Sequence, residues 1–261
     1  MIWIKAAEGA TGANCRRFSI TGVVMTARQD AQLDDIPAIC KSCEARWGGL
    51  CGVLNARQLA ELARASSRHE VLAGTELPDD GTYSNVLSGV VKLTRILSDG
   101  RQQIVGFHFA PDFLGRPFEP KRPIKAEALT KVALCSFPRT IIDRMADDTP
   151  ELGHRLLNHA LSELDEARDW MTALGRKTAS EKVASFLLMI ARNVVSANRS
   201  ASSVSFDLPL SRADIADFLG LTIETVSREL SRLRADGVIR IANKRHISLE
   251  STGRIEGRCG D

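Results

Sequence analysis

Apolar residues change their spacing along the chain, and each change predicts a different element. Residues 1–39 hold no sustained period and read as a loose N-terminal arm, with Met25 as an alternative start. Asn55 to Ala65 carries Leu59 and Leu62 at helical spacing. From Glu70 to about Pro138 the pattern turns to β-branched and aromatic runs, among them Val90-Val91-Lys92-Leu93-Thr94-Arg95-Ile96 and Gln103-Ile104-Val105-Gly106-Phe107-His108-Phe109. Turn signals at Pro78-Asp79-Asp80-Gly81, Ser88-Gly89 and Asp99-Gly100 cut these runs, which predicts an antiparallel roll or barrel of short strands. After Pro150 the period becomes helical for nearly the next thirty residues, with Leu157, Leu161, Leu164, Met171 and Leu174 on one side. Such a stripe is either core or the seam of a dimer. Ser180 to Asn193 reads as a second helix, and Ser200 to Ser205 as a polar connector.

The C-terminal third is the most legible. Ser211 can cap a helix with Asp214 three residues on, Ile215, Ala216 and Leu219 give that helix an apolar face, and Gly220 ends it. Thr222 can cap the next helix, in which Ile223, Val226, Leu230 and Leu233 fall on the inward face. Glu224, Ser227, Arg228 and Arg232 fall on the other. Two helices joined by a glycine turn, the second polar at its exposed start, make a helix-turn-helix whose second helix can enter the major groove. There Arg228 can donate to guanine O6 and N7, Glu224 can accept from a cytosine amino group, and Ser227 can do either. Asp236-Gly237 opens a predicted hairpin, Val238 to Ile241 and Arg245 to Leu249, whose Arg240, Lys244 and Arg245 suit phosphate contact.

Composition limits the alternatives. Of 261 residues, 44% are apolar and 26% charged, an ordinary globular balance. With 35 Lys and Arg against 32 Asp and Glu, the net charge of +3 does not make a general polyanion binder, so any nucleic-acid site must come from local clustering. The uninterrupted apolar run from Phe186 to Ala191 is far below the roughly 20 residues that span a bilayer, and no export signal is visible, so the expected location is cytoplasmic. Enzyme chemistry finds no support: His108, His154 and His159 have no nucleophile or carboxylate at a telling spacing, and no phosphate-binding glycine loop is present.

The six cysteines read as thiols or metal ligands rather than a disulfide framework. Cys40, Cys43 and Cys51 form C-x2-C-x7-C, and Cys135 can complete a four-sulfur set if the fold returns it; zinc and an iron–sulfur cluster both suit four thiolates. Gly48, Gly49 and Gly52 beside Cys51 can let backbone N–H groups approach the sulfurs. Cys15 and Cys259 read as incidental.

The order of cysteine cluster, roll, long helix and winged helix-turn-helix, over roughly residues 40 to 250, resembles the cyclic-AMP receptor protein superfamily. Within it the likeness is to the FNR (fumarate and nitrate reduction) oxygen-sensing regulators. Its most specific piece, Leu219-Gly220-Leu221-Thr222-Ile223-Glu224-Thr225-Val226-Ser227-Arg228, is similar to the family's recognition helix with its E-x-x-S-R reading set. The cyclic-AMP branch shares the Glu but carries Gly-Arg where this chain has Ser227-Arg228, and Arg where it has Ile223. Asp99-Gly100-Arg101-Gln102-Gln103-Ile104-Val105-Gly106-Phe107, followed by Pro111-Asp112-Phe113-Leu114-Gly115, is similar to a family stretch in the roll. The nucleotide cradle departs: Gly115-Arg116-Pro117-Phe118-Glu119-Pro120 and Lys125-Ala126-Glu127-Ala128 lack its Glu and Arg motifs, so no cyclic nucleotide is expected, although Lys121, Arg122 and Lys125 add positive charge.

The resemblance implies an α+β chain: an N-terminal antiparallel β-roll of the cyclic-nucleotide-binding jelly-roll kind, a long dimerisation helix and a C-terminal winged helix-turn-helix. The expected domains are an arm at 1–39, a cluster-binding region and roll at 40–148, the dimer helix at 149–178, the DNA-binding domain at 179–252 and a tail at 253–261. It also implies one [4Fe-4S] cluster on Cys40, Cys43, Cys51 and Cys135, base reading by Glu224, Ser227 and Arg228, and backbone contacts by Thr222, Thr225, Arg232, Lys244 and Arg245. The implied partners are a second copy packed along Leu157, Leu161, Leu164, Met171 and Leu174, a palindromic DNA operator of TTGAT type, and RNA polymerase. On this picture the cluster favours the dimer when oxygen is scarce, and its breakdown by oxygen weakens DNA binding. The alternative is a regulator of the same fold with structural zinc or no metal, indifferent to oxygen.

Overall fold

The computed structural model describes residues 36–43, 45–78, 81–115, 124–194 and 203–260. Cys15, Arg116 to Arg122 and most of the predicted arm lie outside the described residues. The chain begins as a folded segment, with short helical turns α1 (Ala38–Lys41) and α2 (Ala45–Gly48), then one 3-10 turn at Leu50–Val53. Ile36, placed by sequence in the loose arm, is buried beside Leu50 and Leu54. Helix α3 (Ala56–Ala65) follows, and Asn55 caps it in a reciprocal box with Gln58, a device that contributes about 1 kcal/mol. Its inward residues are Leu59 and Leu62, as the spacing predicts.

The roll is built from β1 (Ser67–Val71), β2 (Glu76–Leu77), β3 (Thr82–Ser88), β4 (Val90–Ile96), β5 (Gln102–Phe109), β6 (Phe113–Leu114), β7 (Ile124–Ala128) and β8 (Val132–Pro138). All of its pairings are antiparallel, in two sheets of order β1-β8-β3-β6 and β2-β7-β4-β5. Val86, Val91, Ala128, Val132 and Leu134 fill the space between them. Gly89 turns the chain from β3 into β4 at φ +88°, and a Cβ there would lie 2.4 Å from Lys131 O, so only glycine fits.

Helix α4 (Arg139–Asp148), which the sequence reading does not anticipate, leads into α5 (Pro150–Arg176), whose first turn starts on the proline. Leu152 and Leu156 bury one side of α5 against the roll. Leu157 and Met171 are 56% and 71% exposed, and Leu161 and Leu164 are exposed with them. Leu174 is half-buried, so four of the five stripe residues face away from this chain's own core and leave an exposed apolar face on α5.

Helix α6 (Ala179–Val194), β9 (Val204–Asp207), α7 (Arg212–Leu219), α8 (Ile223–Ala235), β10 (Ile239–Ala242), β11 (His246–Leu249) and α9 (Thr252–Glu256) form the C-terminal unit. Val204 and Ser205, read from sequence as connector, belong to an edge strand that pairs with β11 to make a three-stranded wing. The predicted tail also folds, since Ile255 and Cys259 are buried in the same core as α6 and α8. That core continues without a break into Val90, Ile104, Phe107 and Phe109 of the roll. No helix among the described residues is long and apolar enough to cross a membrane.

Candidate DNA interface and cysteine centre

The helix-turn-helix forms by the devices that its sequence encodes. Ser211 and Asp214 make the reciprocal capping box of α7, Gly220 takes the left-handed conformation at φ +61°, and Thr222 accepts from Thr225 N at the start of α8. Val226, Leu230 and Leu233 pack inward, but Ile223 does not: at the first position of α8 it precedes the packed face and is 47% exposed. The fourth inward place is taken by Glu229. Glu224, Ser227, Arg228 and Arg232 are exposed on one side of α8, with Thr222 beside them and Thr225 half-buried. The Glu224 carboxyl is held below its ordinary range by its own backbone N–H and the Thr222 hydroxyl. Arg228 Nε lies 3.5 Å from Glu229 Oε1, so the base-reading candidate has a counter-ion on its own helix.

At the wing tip Asn243 and Lys244 both have positive φ, and Lys244 and Arg245 project into solvent. Arg212, which the sequence reading misses, joins the tip to α7: one Nη donates to Lys244 O at 3.2 Å, while Nη1 is buried with no hydrogen-bond partner. Burial and then neighbouring Arg245 lower its pKa. Nothing in its sequence context separates it from an ordinary first-turn arginine; the signal is the wing folding back.

The cysteine centre is built by strand register. Cys135 lies on β8, opposite Arg68 of β1 on one side and Asn85 of β3 on the other. The Asn85 amide donates to Cys51 Sγ at 3.4 Å and so ties the N-terminal segment to β3, the neighbour of the strand that holds Cys135. Arg68 donates to Ile39 O at 2.7 Å, and Arg155 of α5 donates to Gly48 O. Cys40, Cys51 and Cys135 pack against one buried cluster that includes Leu50, Leu54, Phe113, Phe137, Leu152 and Leu156. Burial pushes the Cys51 thiol up to about 12, with Cys135 as the next cause and Cys40 and Cys43 contributing further. Cys40 is raised by burial, then by Cys43 and Cys135.

Four soft sulfur donors from one neighbourhood fit an iron–sulfur cluster or zinc by donor chemistry. Among the described residues, however, no group of three or more His, Cys, Asp or Glu side chains stands in metal-holding geometry. The neighbouring glycines have a packing reason of their own. A Cβ on Gly48 would meet Pro111 Cγ at 2.4 Å, on Gly49 Ala45 O at 2.6 Å, and on Gly52 Arg46 O at 2.8 Å, so they allow the segment to fold tightly on itself and on the roll. Asn85 is a second residue missed from sequence. Its signal was a polar amide within a buried strand, with Oδ1 left without a partner.

A polar group also sits between the roll and α5. His108 Nδ1 is 3.9 Å from Asp112 Oδ2 and its Nε2 3.7 Å from Glu163 Oε1, while His159 Nε2 is 3.5 Å from the same Glu163 oxygen. Burial lowers His108 and raises Asp112. Glu166 is pushed up to about 7 by burial, then by Asp112 and Glu163, against Trp170 and with Asp169 adding to the rise. A carboxyl whose folded value lies above its ordinary 4.5 stabilises the fold when protonated, fully below about pH 4.5, and that contribution is lost as pH rises through about 7. Replacing Glu166 with Gln is therefore expected to flatten the decline in unfolding free energy, read from urea titrations, across this window by about 1–3 kcal/mol. Equal slopes for variant and wild type would refute the assignment.

A model of the Crp-like helix-turn-helix domain matches residues 181–256, and one of the cyclic nucleotide-binding domain matches residues 64–149. A probable transcriptional activator of Rhizobium leguminosarum bv. viciae is 54% identical over 224 residues, spanning 84% of this chain and 92% of that protein. Transcriptional activator protein FnrL of Cereibacter sphaeroides is 39% identical over 238 residues, 88% of this chain and 96% of the other. The solved structure of FixK2 from Bradyrhizobium japonicum aligns with TM-score 0.68 at 32% identity, covering 75% of this chain and 98% of that one.

Proposed function

The chain belongs to the Crp/FNR superfamily of transcription regulators, which are DNA-binding proteins rather than enzymes, and from that premise we propose that it is a dimeric activator whose DNA affinity responds to oxygen. One observation supports the oxygen part: Asn85, whose amide donates to Cys51 Sγ, stands opposite Cys135 in the β3–β8 register, and both cysteines pack against a core that also contains Leu152 and Leu156 of α5. Cys40, Cys43, Cys51 and Cys135 would hold one [4Fe-4S] cluster, which when bound supplies an oxygen-labile redox centre.

The chain's own residues supply the coupling. Arg155 grips the backbone of the cysteine segment at Gly48, two residues before Leu157 on α5. A change in how residues 36–54 pack therefore acts on the helix that carries the proposed seam. A ligand shifts such an equilibrium only by its differential affinity for the two arrangements. With the seam formed, two α8 helices present Glu224, Ser227 and Arg228 to a near-palindromic site of TTGAT type, while Thr222, Thr225, Arg232, Lys244 and Arg245 contact phosphates. Arg212 adds a donor beside the wing. RNA polymerase is the partner that activation requires.

The test is the visible spectrum of protein purified without oxygen and then exposed to air, with iron and acid-labile sulfide measured on the same sample. A broad absorption that bleaches in air, with about four irons and four sulfides per chain, is the expected result. A colourless protein with one zinc would remove the oxygen response and leave the DNA-binding regulator, the second reading that the same four thiols support.

A further inference from the structure

The β4–β5 hairpin, which carries the Asp99-Gly100-Arg101-Gln102-Gln103 stretch, has no place in base reading or in the cysteine centre, yet it is tied to both ends of α7. We infer that Lys92, Gln102 and Gln103 are positioning residues that fix the helix-turn-helix on the roll and so set the spacing between the two recognition helices of a dimer. The inference rests on the dimeric, palindrome-reading function proposed above.

Lys92, on β4, has a side chain only 12% exposed. Its Nζ lies 3.1 Å from Glu127 Oε1 on β7 and 3.1 Å from Asp214 Oδ1 on α7. Asp214 is also the N-terminal capping-box residue of α7, so the ion pair grips that helix at its start. Burial alone would lower Lys92, but its bonds to Asp214 and Glu127 outweigh it and raise its pKa. At the other end of α7, Gln103 Nε2 donates to Phe218 O at 3.0 Å and Gln102 Nε2 to Asp217 Oδ2 at 2.7 Å. Two separated tethers leave α7 no single point about which to pivot.

Phe218 completes the attachment. Its ring meets Phe107 of the roll at 4.8 Å, Trp170 of α5 at 4.6 Å and Phe186 of α6 at 5.9 Å. The short Gly220-Leu221 turn then carries this fixed position into α8. If the exposed stripe of α5 lies on the two-fold axis, the hairpin determines how far each α8 stands from it. A palindrome requires that distance to match one DNA turn, about 34–36 Å between half-site centres. Loss of a tether should then broaden the spacings the dimer accepts without changing which bases α8 reads.

The experiment measures oxygen-free binding of the full-length protein to palindromes with correct spacing and with one or two base pairs inserted at the centre. Wild type should prefer the correct spacing. Lys92→Met should reduce that preference about tenfold, Gln103→Ala should reduce it too, and Lys92→Arg should retain it. Discrimination at the half-site guanine should stay at the wild-type level in all three, and thermal unfolding checks that each folds. If Lys92→Met and Gln103→Ala keep the wild-type spacing ratio, or lose affinity equally at every spacing, the positioning role is overturned. A wild type indifferent to spacing would instead overturn the dimeric reading itself.

Discussion

Cys135→Ser is expected to reduce iron from about four per chain to nearly none in protein prepared without oxygen, and to lower oxygen-free DNA affinity at least about tenfold. Cys135 is the one candidate ligand on a sheet; the other three lie in or beside the short helical turns of residues 40–51. It faces Arg68 and Asn85 across two strand pairings, so no neighbouring residue can take its place without a change of register. A serine oxygen is a hard donor and a poor substitute for thiolate on an iron–sulfur cluster. The contrast is Cys259→Ser. Cys259 Sγ already donates to Ile255 O at 3.3 Å in the C-terminal core, a hydroxyl can make the same bond, and iron and DNA binding should be unchanged. Full iron content in Cys135→Ser would end the four-cysteine assignment. Loss of a single zinc, with DNA binding identical in air and without it, would favour the structural-metal reading.

Local chemistry made much of this chain legible in its sequence, and long-range register made the rest hard to see. The capping box of Ser211 and Asp214, the left-handed Gly220 and the Thr222 cap are all decided within a few residues, and each stands where the sequence places it. The α5 stripe was visible as a period, but its role depended on what Leu152 and Leu156 bury on the other side. Helix α4 begins just after Pro138, at the end of β8, without a side-chain cap, so nothing local announces it. The four residues of β9 become a strand only because β11 offers an open edge. Ile223 obeys the helical period but lies one turn too early to be covered. The cysteine spacing named the donors; the proximity of Cys51 to Cys135 depends on the β3–β8 register and on Asn85. The same holds for Lys92, which reads as an ordinary strand lysine until Asp214, far along the chain, is folded against it.

Arg228→Ala is expected to cost about 1–3 kcal/mol at an operator carrying the half-site guanine, and close to nothing at one where that base pair is replaced. The Arg228 side chain is 67% exposed and held only by long contacts, 3.5 Å to Thr225 Oγ1 and 3.5 Å to Glu229 Oε1. Exchanging those contacts for a bidentate pair with guanine O6 and N7 therefore gives up little in the free protein. Arg228→Lys should recover only part of the loss, because an ammonium cannot present the planar fork. Lys244 supplies the control. Exposed at the wing tip and suited to phosphate, it should weaken binding uniformly across sequences when changed to Ala, and reduce the salt dependence by about one counterion. Equilibrium titration of both variants against the two operators at several salt concentrations separates the roles. If Arg228→Ala behaves as Lys244→Ala does, with equal loss at every sequence, then Arg228 contacts the backbone and the reading of guanine must pass to another side chain on the same face of α8.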